Sequence, residues 1–204
     1  MTHPIEAESF RILEERVDLT ALPPGQRAVV ARVVHASADL DFAATLWFSD
    51  GAVEAGVDAL RRGAPVVVDV EMVRQGLTGV DAECHLPSVG PDDGLSGDTR
   101  CARAMRAAAG RHPEGAVVVV GCAPTALFEV VRLAGEGRFR PALVVGLPVG
   151  FVGAAEAKAA LRASGLVAIA NTGEKGGSAV AAAAVNALAR LAWPGARNGH
   201  GNVP

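Results

Sequence analysis

Short apolar runs alternate with longer segments of helical spacing over most of this chain. Pro65–Val70 (PVVVDV), Ala116–Gly121 (AVVVVG), Ala142–Leu147 (ALVVGL) and Leu166–Asn171 (LVAIAN) are nearly continuous in apolar residues. That pattern predicts strands buried on both faces rather than strands with one wet side. Good helix formers follow them, in TRCARAMRAAAG from Thr99, PTALFEVVRLAGEG from Pro124, AAEAKAALRA from Ala154, and Ser178–Ala192. Upstream, helices are predicted over Ile5–Val17, Gln26–Ala38 and Gly51–Gly63, and a short one over EMVRQG from Glu71. Ala82–Leu86 reads as a further strand, and Asp39–Asp50 as either a strand or a packed loop. Strand and helix in alternation predict an α/β fold, a single domain with a mainly parallel open sheet flanked by helices on both faces. The domain is expected to span residues 1–192, with the polar, glycine-rich residues 193–204 as a disordered C-terminal tail.

Three of the predicted strands end near Gly121, Gly146 and Asn171, each in a glycine-containing turn. In a parallel sheet such turns gather along one edge, where α/β folds bind ligands. The stretch Pro141–Lys158, PALVVGLPVGFVGAAEAK, is a strand, a glycine-bearing turn and a helix start. It is either a plain connection or a turn whose bare backbone and helix N-terminus meet a ligand. Its glycines are not spaced as G-x-G-x-x-G, and no GxxxxGK[ST] pattern occurs, which counts against a nucleotide-binding α/β enzyme.

Composition narrows the classes further. The net charge is −3 and aromatics make up 4%. The chain therefore lacks both the basic field and the stacking platforms of a general nucleic-acid binder. Cys84, Cys101 and Cys122 are far apart and form no CxxC or Cys/His ligand spacing, so no metal site is predicted. They fit a reduced, cytoplasmic setting. No charged segment followed by an apolar one opens the chain, and no apolar run approaches a membrane span of about 20 residues.

The candidate chemistry lies in a few polar residues. Arg32 and His35 are three apart on a predicted helix and therefore neighbours on its surface. An anion bound there would favour a protonated imidazole able to act as an acid. Asp69 falls near the carboxyl end of its strand, the expected ligand edge. Pro87–Gly97 is a turn-rich loop, and Asp98-Thr99 follow it as a helix cap. Arg100, Arg103 and Arg106 form a stripe along the next helix, for which a solvated face is the default. Arg100, in the first turn where the helix dipole disfavours a cation, suggests an anion partner. Ser9, mid-helix, reads by itself as a residue facing solvent or its own backbone.

The segments RVVHAS (32–37), DVEMVRQGLT (69–78), GDTRCA (97–102), GCAPTALF (121–128), GLPVGFVGAAEAK (146–158) and GGSAVAAAAVNAL (176–188) resemble the motifs of the precorrin-8X methylmutase family. The resemblance runs from Ser9-Phe10 to about Leu188. It implies an isomerase of cobalamin (corrin) biosynthesis. A methyl group moves from ring carbon 11 to ring carbon 12 of precorrin-8X, giving hydrogenobyrinate by an acid-assisted [1,5]-sigmatropic shift that uses no cofactor. It implies His35 as the acid and Ser9 and Arg32 as substrate contacts. Thr78, Thr99 and Arg100 fall in motif segments that would line the pocket. The partners it implies are the tetrapyrrole, precorrin-8X or cobalt-precorrin-8, and a second copy of the chain, with hand-over to the next corrin-pathway enzyme. The family pattern carries Asn where Asp98 and Cys122 stand. Asp98 would add negative charge near a carboxylate-bearing substrate, and Cys122 would lose an amide. A non-catalytic corrinoid carrier is the alternative, and it would have no need of an acid at His35.

Overall fold

Four valine- and alanine-rich runs make the middle of a six-stranded sheet. The computed structural model describes residues 3–91 and 98–195. Its strands are β1 (Leu46–Phe48), β2 (Val66–Val68), β3 (Glu83–Cys84), β4 (Val117–Val120), β5 (Leu143–Gly146) and β6 (Ala168–Asn171), in the order β1-β6-β5-β4-β2-β3. All neighbours are parallel except β1, which pairs antiparallel with β6 at one edge. Every residue of β2, β4, β5 and β6 is buried, as a sheet covered on both faces requires.

The helices are α1 (Pro4–Arg16), α2 (Pro24–Ser37), α3 (Asp41–Thr45), α4 (Ala52–Arg61), α5 (Glu71–Gly76), α6 (Arg100–Arg111), α7 (Pro124–Gly135), α8 (Ala154–Ala163) and α9 (Ser178–Ala192). Alternate strand residues point to opposite faces, and the helices divide accordingly. Val66, Val68, Val117 and Val119 meet α2, α4, α5 and α9. Val67, Val118, Val120 and Val144 meet α6, α7 and α8. The predicted α/β architecture therefore holds. The segment Asp39–Asp50 divides into a short helix and an antiparallel edge strand. The expected tail lies outside the described residues from position 196 onward, as does most of the predicted loop, residues 92–97.

Two turns at the carboxyl edge of the sheet are locked together. The Gly177 N–H donates to Leu147 O at 2.9 Å, and the Gly150 N–H to Glu174 O at 3.1 Å. A Cβ on Gly176 would lie 2.4 Å from the carbonyl oxygens of both Leu147 and Pro148. Only glycine lets the two backbones approach this closely. Lys158, fully buried on α8, donates from Nζ to Asn171 Oδ1 (3.0 Å) and Lys175 O (2.7 Å). Lys175 Nζ in turn reaches Asp39 and Asp41, at 2.7 and 2.6 Å. This chain of contacts ties the turn after β6 to the carboxyl end of α2, the helix that carries His35.

Candidate active site

His35 lies in the last turn of α2, after which Ala38 leaves the helix in a left-handed conformation. Its imidazole is half-buried and held by two consecutive residues of α1. Ser9 Oγ and His35 Nδ1 share a hydrogen bond of 2.8 Å. The Phe10 ring stacks on the imidazole, with centroids 4.8 Å apart and planes within 13°. The Arg32 guanidinium sits 4.9 Å from the centroid of the same phenyl ring, within cation–π range. Arg32 Nη1 also pairs with Glu6 at 2.8 Å. Ser9, Arg32 and His35 are thus brought together, and Phe10 joins them. The hydrogen bond engages Nδ1 and takes no part in Nε2. In the imidazolium form Nδ1–H donates to the serine, and Nε2–H is the proton available to a ligand.

Helix α1 holds this site lightly. Among its described residues only Leu13 is buried, and Ile5 is 74% exposed. The helix forms because Pro4 occupies the first turn and the His3 side chain caps it, accepting from the Ile5 N–H. The residues that fasten it to α2 are Glu6, Ser9 and Phe10, the same ones that surround Arg32 and His35. Ser9 was legible by itself only as a mid-helix serine. Its partner is a side chain of another helix, which no local pattern announces. Phe10 and Glu6 carried no signal beyond adjacency to Ser9 and helical spacing.

Thr99 and Arg100 form a second group on the other face of the sheet, at the head of α6. Thr99 is the N-cap, its Oγ1 accepting from the Ala102 N–H at 3.2 Å and bonding Thr125 Oγ1 at 2.7 Å. Arg100 Nη2 donates to Leu86 O and Val89 O, both at 3.2 Å, while its buried Nε has no hydrogen-bond partner among the described residues. Arg103 donates to Gly90 O and Pro91 O, each at 3.0 Å. Arg106 pairs with Asp98 at 2.7 Å and with Glu129 at 2.6 Å. The arginine stripe is therefore not a solvated face. It pins the chain before α6 and joins α6 to α7, because the half-buried guanidinium groups donate to carbonyls of residues 86–91 and to the carboxylates of Asp98 and Glu129. Arg132 and Arg106 hold Glu129 down at about 2, against the opposing effect of its burial. The hydrogen bond from Arg106 holds the Asp98 carboxyl below its usual range, which favours its ionised form. It is an ion-pair partner rather than a free negative charge beside Arg100.

Thr78 is exposed and belongs with neither group. Its N–H donates to Asn186 Oδ1 at 2.8 Å, and Asn186 Nδ2 donates to Gly76 O at 2.9 Å, so this turn is stapled to α9. Asp69 also departs from expectation. It is fully buried and accepts from the N–H groups of Gly121, Cys122 and Ala123 at 3.0, 2.8 and 2.8 Å. Burial raises its pKa while the three amides pull the other way. What it binds at the sheet edge is the chain's own turn. Cys122 serves that turn through its backbone N–H, which any residue but proline supplies, and its thiol is exposed.

The chain is similar in sequence and fold to known proteins. A family model described as precorrin-8X methylmutase matches residues 4–191. The cobalt-precorrin-8 methylmutase of Priestia megaterium is 38% identical over 200 residues, covering 94% of this chain and 88% of that protein. The precorrin-8X methylmutase of Pseudomonas aeruginosa is 39% identical over 198 residues, covering 91% and 93%. The solved structure of the precorrin-8X methylmutase from Thermus thermophilus superposes with a TM-score of 0.83 at 40% identity, covering 95% of this chain and 99% of that one.

Proposed function

The chain belongs to the precorrin-8X methylmutase family and is an isomerase of cobalamin biosynthesis, and from that premise we propose that His35 is the acid of its methyl shift, with Ser9 and Arg32 as its neighbours at the substrate. The observation that carries this reading is the convergence of Ser9 and Phe10 on one imidazole, with Arg32 on the same phenyl ring. The ring is fixed in plane and has one nitrogen occupied, so its other proton has a defined direction. Protonating the macrocycle draws electron density toward the protonated position and lets the methyl group migrate from carbon 11 to carbon 12. Substrate and product are isomers, so the proton given by His35 is balanced by one lost from the ring, and the acid is regenerated without a co-reactant. Arg32 would meet a substrate carboxylate with a charge-assisted hydrogen bond.

Ser9, Arg32 and His35 sit on helices packed against one face of the sheet, and Thr99 and Arg100 on a helix packed against the other. The groove beside Arg32 holds about 230 Å³, below the range of about 300–1,000 Å³ in which whole small molecules bind. Both facts favour a homodimer in which the α6 head of one copy approaches the His35 region of the other. The turn after β5 offers an apolar surface for such a contact, with Phe151 93% and Val152 90% exposed. A cytoplasmic location suits the three free cysteines, and among the described residues no helix is long and apolar enough to cross a membrane. The carrier alternative finds no support, because these relatives are named as methylmutases.

The test is an absorbance time course with metal-free precorrin-8X, and with cobalt-precorrin-8 in parallel. Moving the methyl group changes ring conjugation, so turnover changes the spectrum. His35→Ala is expected to bind the tetrapyrrole and to lose about 10²–10⁴-fold in turnover, whereas Arg32→Ala weakens binding first. Full activity in His35→Ala would remove the acid assignment.

A further inference from the structure

Arg190, near the carboxyl end of α9, shares with Arg32 a groove to which the reading above gives no role. Nη1 of Arg32 and Nη1 of Arg190 both donate to Oε1 of Glu6, at 2.8 and 3.1 Å. Two guanidinium groups thus divide one carboxylate, and the trio carries an excess of one positive charge. The floor beneath them is apolar, made by Ala28, Ala31, Ala187 and Leu191. Phe10 closes one side. Because the same phenyl ring stacks on His35, the groove adjoins the imidazole.

We propose that this groove is a subsite for one carboxylate-bearing side chain of the tetrapyrrole, with Arg32 and Arg190 as paired donors and Glu6 as an internal stand-in that the substrate displaces. The inference rests on the methylmutase reading and adds Arg190 and Glu6 to it. The volume admits a short arm and excludes the macrocycle. An aliphatic stem matches the alanine floor, and a carboxylate matches two guanidinium groups that already hold one. Glu6 is placed to yield, since it lies in the first turn of a lightly packed helix next to the largely exposed Ile5. Arg190 is 43% exposed against 14% for Arg32, so it can follow an incoming anion. The competing view is a staple that ties α1, α2 and α9 together and never meets substrate.

Steady-state kinetics of the full chain with precorrin-8X separate the two. Arg190→Gln is expected to raise KM about ten-fold, the effect of losing one hydrogen bond to a charged group, with most of the change in KM rather than kcat. Arg190→Lys should recover part of that loss. Glu6→Gln is expected to lower KM, because the arginines lose their internal competitor. A staple predicts a different pattern, in which Glu6→Gln and Arg190→Gln both lower thermal stability and leave KM unchanged. An unchanged KM in Arg190→Gln, or a raised KM in Glu6→Gln, overturns the subsite while leaving the methylmutase reading intact. A wild-type chain that fails to convert either precorrin-8X or cobalt-precorrin-8 takes down both.

Discussion

The polar groups at the carboxyl edge of the sheet and those around His35 are built on opposite principles. Asp69, Lys158 and Asn171 are fully buried, and they bond largely to backbone. Ser9, Arg32 and His35 are half-buried, and they bond mainly to other side chains. A buried polar group turned toward backbone atoms sets the path of the chain, and removing it strands amides or carbonyls away from water. A half-open group engaged at one atom keeps another for a ligand. Displaced ionisation is thus a poor guide to chemistry in this protein, because burial moves Asp69 up and Lys158 down to about 8 where neither group reaches solvent.

The sharpest way to break this comparison is Asp69→Ala. Three N–H groups at the head of α7 lose their acceptor, and a loss of about 3–5 kcal/mol is expected in urea unfolding, with activity falling alongside the fold. His35→Ala in the same assay should stay within about 1 kcal/mol of wild type. If the two variants were equally stable, the division between shaping and reacting groups would be wrong. Gly176→Ala comes next. Its Cβ would meet two carbonyl oxygens at 2.4 Å, and backbone yields less readily than a flexible side chain. A cost of about 1–3 kcal/mol is expected, read as a lower urea midpoint.

The shaping region was largely legible in the sequence, and the reacting region was not. Continuous valine runs can only be strands covered on both faces, so β2, β4, β5 and β6 follow from pattern. Glycine at 121 and 146 makes room for neighbouring side chains, and glycine at 176 for two backbone carbonyls. β1 escaped a firm reading because a three-residue edge strand leaves little periodicity. The arginine stripe of α6 was misread as solvated because the acceptors of Arg100 and Arg103 lie in residues 86–91 and those of Arg106 are Asp98 and Glu129, a placement that local spacing does not encode. Asp69 pointed to the right edge of the sheet, but charge and position do not say whether a ligand or a turn will occupy a carboxylate. At the site, Arg32 and His35 share a helix and so could be paired by spacing. Ser9, Phe10 and Glu6 arrive from a separate helix, and Arg190 from one more than 150 positions along the chain. Ser9 entered the prediction through family resemblance, while Glu6 and Arg190 needed the fold.

A smaller effect sharpens the reacting side of the comparison. Ser9→Ala removes the hydrogen bond to Nδ1 and leaves Phe10 stacked on the imidazole. Turnover of precorrin-8X is expected to fall about ten-fold, the cost of one such bond. Unfolding stability should stay within about 1 kcal/mol, since the hydroxyl is only part-buried. A large loss of stability with unchanged turnover would move Ser9 to the shaping group.

The smallest expected signal is a slope, and it tests whether Lys158 belongs wholly to structure. Burial lowers its pKa to about 8, from about 10.4 in an unfolded chain. Between those values the unfolded chain binds more protons than the folded one, so this group makes stability rise with pH across that window. The stabilisation is full above the unfolded value and is lost as pH falls through about 8. The neutral amine still has two N–H donors, matching the two acceptors Asn171 Oδ1 and Lys175 O. Burial raises the thiols of Cys84 and Cys122, which makes their contribution to the pH dependence of stability opposite in sign. They are common to wild type and to Lys158→Met, so they cancel in the difference between the two. Urea unfolding of both proteins from pH 7.5 to 10 should therefore show the stability of wild type relative to Lys158→Met growing with pH. A difference that stays flat or shrinks would mean that Lys158 is held charged, and that the turn after β6 is fastened by an ammonium ion rather than by two neutral hydrogen bonds.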